Sequence, residues 1–124
     1  MFSQHNQQRA GAGLGALSVD ASLTNIARRR AQDMAANNYF AHTSPTGETA
    51  FTLMNGVGYV YAIAGENIAR NNYPDAESVS VAMSGFMNSP GHRANILDGR
   101  YTKVGIGMAV DANGMKYFAV VFAG

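Results

Sequence analysis

The run Val104-Gly105-Ile106-Gly107-Met108-Ala109-Val110 limits the fold more than any other stretch of the chain. Large apolar residues alternate with glycine and alanine at a period of two, the repeat of a strand whose successive side chains point to opposite faces. Asp111-Ala112-Asn113-Gly114 supplies turn residues, and Lys116 to Phe122 returns as a β-prone run, so the two form a hairpin. Small residues on one face of the first strand leave room for a helix, or a cleft floor, to approach closely. Coming after several helix-like segments, such a hairpin needs helices over both faces of a small antiparallel sheet, an α+β fold.

Those helices can be placed from their punctuation. Phe2 to about Gly11 reads as a first helix, closed by the glycines at 11, 13 and 15. A second begins near Ser18 or Asp20, both acceptable caps. Its apolar positions Leu23, Ile26, Ala27, Ala31, Met34 and Ala35 follow one helical face, and Asn37-Asn38 ends it. After the turn-rich Tyr39 to Gly47, a short helix runs from Glu48 to Met54. Tyr59 to Ala64 is β-prone and leads into Gly65-Glu66-Asn67-Ile68-Ala69. Asp75 is expected to cap another major helix, whose stripe is Val79, Ala82, Met83, Phe86 and Met87. No repeat, linker or low-complexity tract interrupts this order, so residues 1–124 form one domain.

Composition excludes several function classes. A formal net charge of +1 with no basic patch beyond Arg28-Arg29-Arg30 argues against nucleic acid. That triplet sits in a helix pattern, where the expected role is a solvated face. With no cysteine, disulfides, thiol catalysis and thiolate zinc sites are excluded. The apolar runs are too short for a transmembrane helix, and Met1 leads into polar sequence with no signal peptide visible.

Three groups offer chemistry. His42 lies in a loop after two anchoring aromatics, Glu66 lies between a glycine and an asparagine, and His92 opens a short helix in Asn88-Ser89-Pro90-Gly91-His92. Ser89 suits the cap and Pro90 the first helical position. A histidine in a first helical turn is biased toward the neutral imidazole, the form that ligates metals or accepts protons. The three are far apart in sequence, so no local zinc motif applies. The alternative is that each histidine, and Glu66, bonds its own loop. His5 is read as a surface or packing residue, and the tyrosines at 59, 61, 73, 101 and 117 as core or groove lining.

Several dispersed motifs, in order, resemble the CAP superfamily (SCP domain; cysteine-rich secretory, antigen five and pathogenesis-related proteins) in its compact bacterial form. They are His5-Asn6 with Arg9, Tyr39 to Pro45, Gly65-Glu66-Asn67-Ile68, Asn88 to Leu97, Val104-Gly105-Ile106-Gly107 and the final strand Tyr117 to Gly124. The resemblance implies an α-β-α sandwich around an antiparallel sheet of about three strands, and an extracellular location. It also implies a central cleft with two histidines, matched by His42 and His92, and two acids, of which Glu66 matches the first. Phe86 replaces the tryptophan of the eukaryotic pattern, and Ser89 stands where the second acid would be.

Two imidazoles beside one carboxylate suit Zn2+ or another divalent metal, held by His42 and His92 with Glu66 adjacent. Asn67, Ser44 and Ser89 are the candidates for orienting these rings. The preferred reading is a secreted binding domain whose partner is a small ligand, lipid, glycan or protein. The alternative is a metal-assisted hydrolase acting on protein or cell wall through the same cleft, with His42, Glu66 and His92 as its catalytic candidates. No organic cofactor is implied.

Overall fold

The computed structural model describes residues 1–124, and its elements run α1 (Phe2–Gly11), β1 (Ser18–Val19), α2 (Ala21–Asn37), α3 (Ala50–Gly56), β2 (Ala64–Asn71), α4 (Asp75–Met87), α5 (Pro90–Ile96), β3 (Lys103–Val110) and β4 (Lys116–Ala123). The sheet order is β1-β3-β4-β2, with β2, β4 and β3 antiparallel and β1 parallel to β3. The sheet thus has four strands where three were expected. The fourth is two residues long, too short to carry a periodic signal. Ser18 N–H donates to Thr102 O at 2.9 Å and Asp20 N–H to Val104 O at 3.0 Å, so the chain pairs with β3 just before α2 begins.

The layers are those of an α-β-α sandwich. On one face Leu23, Ile26, Ala27, Ala31 and Met34 of α2 pack with Ala50 and Met54 of α3 over Ile68, Tyr117, Ala119 and Val121. On the other, Met83 and Phe86 of α4 and Ile96 of α5 pack with Leu17 and Tyr101 over Val104, Val120 and Phe122. The central strand β4 is buried along its whole length.

The alternation in β3 explains the seating of α2. A Cβ built on Gly105 would stand 2.0 Å from the Leu23 carbonyl carbon, and one on Gly107 would stand 2.3 Å from Arg28 N. The helix backbone therefore rests on the strand backbone, an approach open only to glycine. Asp20 caps α2 by accepting from Leu23 N–H at 3.0 Å, and Asn38 closes it in the left-handed conformation at φ 51°.

Other boundaries differ from the sequence reading. The helix expected from Glu48 starts at Ala50, because Thr49 and Thr52 form a reciprocal capping box. Pro74, not Asp75, is the residue before α4; Asp75 lies inside the first turn and its exposed carboxylate pairs with Lys116 at 3.1 Å. Tyr59 to Ile63 is not a strand, and Gly65 to Ala69 lies in the middle of β2 rather than after one.

Two buried cations were not foreseen. Arg30 is not on a solvated face: it follows Ile26 and Ala27 by four and three positions, and so shares the buried stripe of α2. Arg9, also buried, donates to the carbonyls of Gly15, Ile96, Asp98 and Tyr101, tying α1 to the end of α5. His5 is buried as a packing residue, its ring between Phe86 and Phe122.

Candidate functional site

Glu66 projects from β2 toward α2, where Arg30 meets it. The guanidinium donates from Nε to Oε2 at 2.9 Å and from Nη2 to Oε1 at 3.3 Å, and neither side chain is more than 2% exposed. A carboxylate buried to this degree needs a charge partner and a fork of donors, and arginine supplies both. The same arginine donates from Nη1 to the Tyr39 hydroxyl at 3.0 Å and from Nη2 to Ala41 O at 2.6 Å. It therefore holds both the acid and the peptide group that precedes His42. Tyr39 in turn donates to Asp33. Burial, followed by that bond, pushes the Tyr39 phenol up to about 12, so it stays a donor.

His42 completes this chain. Its Nδ1 lies 2.9 Å from Glu66 Oε1, and the ring is 58% exposed at the mouth of the site. An ionised carboxylate only accepts, so Nδ1 is the nitrogen that donates, and in the neutral ring the lone pair is then on Nε2, which no protein group meets. This is the carboxylate–imidazole arrangement that orients a ligand or base histidine.

His92 is held differently. Ser89 is the residue before α5, yet its hydroxyl makes no bond to the helix backbone; it lies 2.8 Å from His92 Nδ1. A hydroxyl accepts as readily as it donates, so the tautomer with a free Nε2 is available here too. The ring packs on Phe86 at 5.3 Å between centroids. Asn67 Nδ2 donates to His92 O at 2.9 Å, and Asn95 Nδ2 donates to Asn67 Oδ1 at 2.8 Å, which seats α5 on β2. Burial, and then the proximity of His42, hold the His92 imidazolium below its ordinary 6.5.

The structure thus brings His42, Glu66, His92, Ser89 and Asn67 into one neighbourhood. Ser44 is apart: its buried hydroxyl accepts from Glu48 N–H at 2.9 Å and Thr46 N–H at 3.3 Å and shapes its own turn. Arg30 is the site residue that sequence reading missed. Its place on the α2 stripe was the available signal, masked by the two exposed arginines before it. Nowhere do three or more His, Asp or Glu side chains group as a metal cage would. Glu66, with its oxygens already taken by Arg30 and His42, stands behind the ring as an orienting group.

Comparison with known proteins sets this geometry in a family. The profile described as CAP, cysteine-rich secretory protein family, matches residues 2–122. The chain is 42% identical over 102 residues to the uncharacterized protein YkwD of Bacillus subtilis, covering 82% of this chain and 38% of that protein. It is 35% identical over 103 residues to the uncharacterized membrane protein YlbC of the same organism, covering 83% of this chain and 29% of that one. The chain therefore spans well under half the length of these curated relatives. An extracellular protein containing an SCP domain from Bacillus anthracis superposes with a TM-score of 0.84 at 31% identity, over 98% of this chain and 38% of that one. Nearly complete coverage by the profile, together with the α-β-α architecture, establishes that this chain belongs to the CAP (cysteine-rich secretory protein) family.

Proposed function

We propose that this domain is an extracellular binding module whose cleft takes a divalent cation, Zn2+ by the chemistry of its donors, through His42 and His92. The observation that carries this reading is the anchoring of both imidazoles through Nδ1, by Glu66 at 2.9 Å and by Ser89 at 2.8 Å, which leaves Nε2 of each without a protein partner. Neutral rings are required for ligation, and burial helps keep His92 neutral. Two protein nitrogens leave the remaining coordination positions to solvent or to donors of a bound small molecule. The extracellular setting is supported by the 31%-identical Bacillus anthracis relative, described as an extracellular protein.

Calorimetric titration of the metal-free protein with ZnCl2 tests it. Wild type is expected to bind one equivalent, and the His42→Ala/His92→Ala double variant is expected to lose that isotherm. Equal affinity in the double variant removes the cleft from the account.

One observation favours a hydrolytic reading instead: the 2.8 Å pairing of the Ser89 hydroxyl with an imidazole. Against it, no carboxylate orients His92, and the His42–Glu66 pair has no nucleophile bonded to it. Peptide and muropeptide cleavage lost in both Ser89→Ala and Glu66→Gln would move the assignment to hydrolysis.

A further inference from the structure

The outer edge of β2 is the open edge of the sheet on that side. Gly124 N–H donates to Ile63 O at 2.9 Å and Ile63 N–H donates to Gly124 O at 3.1 Å, which fixes the phase of the antiparallel ladder. Residues alternate in such a ladder, so Asn67, Ala69 and Asn71 turn their amides toward β4, while Glu66, Ile68 and Arg70 turn theirs away. Glu66 O is met there by Asn95 Nδ2 at 3.4 Å. No backbone or side-chain group of the chain meets the N–H or C=O of Ile68 or Arg70. A groove of about 310 Å³ lies beside them, walled by Phe40 on one side and by Val81, Gly85 and Phe86 on the other, with His92 at its end.

We propose that this edge captures a short extended peptide as an additional strand, with an acidic side chain of the peptide placed on Arg70. An unpaired strand edge is a template for another extended chain. Its outward amides repeat every two residues, roughly 6.6 Å, a spacing that an extended backbone matches and a lipid tail does not. The groove runs beside Ile68 to Asn71, room for about four peptide residues at 3.3 Å each. Its charge selects the occupant. The Arg70 guanidinium lies 4.8 Å over the Phe40 ring with no carboxylate partner, and no acidic side chain lines the groove. The surface uses backbone donors rather than imidazole nitrogens, so it stands whether or not the histidines take a metal.

The test is a titration of ¹⁵N-labelled, metal-free protein with the blocked pentapeptide Val-Glu-Val-Glu-Val, followed by amide NMR. The Ile68 and Arg70 signals are expected to move most, and their hydrogen exchange to slow at least tenfold at saturation. Methylating alternate peptide nitrogens is expected to abolish this. Gly85→Trp fills the groove from a position where an added Cβ meets nothing within 4 Å, and is expected to weaken binding at least tenfold while the remaining spectrum stays native. Arg70→Glu is expected to exchange the preference for a peptide with lysine in place of glutamate. Undiminished binding of the methylated peptide, shifts confined to other elements, or no binding by wild type each overturns the proposal. So does self-association of the free protein through the same two amides, which would give the edge to a second copy.

Discussion

Arg30 and Glu66 form an ion pair in which both side chains are withdrawn from water, one on α2 and the other on β2. Removing only the arginine leaves the buried carboxylate with His42 as its one side-chain partner and without its permanent countercharge, and breaking a buried pair in this way costs about 3–5 kcal/mol. Arg30→Met is therefore expected to lower the urea-unfolding free energy by that amount. Arg30→Met/Glu66→Leu, with both charges gone, is expected to recover most of it. A double variant no more stable than the single one would show that the pair is not the source of the loss.

Acid is expected to weaken this fold through two histidines. Burial lowers His5 below its ordinary 6.5, and burial with His42 lowers His92. The unfolded chain then binds protons that the native one refuses, so stability is full above about pH 6.5 and declines as pH falls toward the lower native values. His5 Nε2 is buried with no partner, while Nδ1 bonds Met1 O at 2.9 Å. Thermal melts from pH 7.5 to 5 are expected to show a fall of several degrees, and a smaller one in His5→Leu.

Ser89 separates capping from orientation. Its hydroxyl serves His92 and not the helix backbone, so Ser89→Ala is expected to cost less than the usual N-cap loss of about 1 kcal/mol. Loss of a ring-orienting partner typically weakens metal binding about 10–100-fold. The expected result is a nearly unchanged melting temperature with a Zn2+ affinity at least tenfold lower by calorimetry.

Gly105→Ala drives a methyl group into the α2 backbone, 2.0 Å from the Leu23 carbonyl carbon. Backbone cannot step aside as a side chain can, so the cost is expected at or above the upper end of the usual 1–3 kcal/mol for overpacking. Gly85→Ala, in open space on α4, is expected to gain about 0.5–1 kcal/mol. Parallel urea denaturation of the two variants checks the contrast.

Much of this was legible in the sequence because it was local. Asp20 and Asn38 bracket α2 by cap chemistry, and the glycine alternation announced both a strand and a close helix. The motifs around His42, Glu66 and His92 carried the resemblance to the family whose profile matches residues 2–122. What escaped depends on partners distant in the chain. Arg30 is internal because Glu66, thirty-six residues on, waits for it; beside Arg28 and Arg29 it looked like one more surface charge. Arg9 is buried because four carbonyls, three of them from Ile96 to Tyr101, converge on it. β1 exists only through β3, and two residues cannot express a period.

The bare face of β3 also sets a distance elsewhere. Gly105, Val121 and Glu66 stand abreast across three strands, since Val121 is the register partner of both others. The height of α2 above that row is the height at which Arg30 must reach down to the carboxylate. Two missing side chains thus act as a gauge block: thicken the sheet there by one methyl group and the guanidinium is lifted from Glu66, freeing the acid that steadies His42.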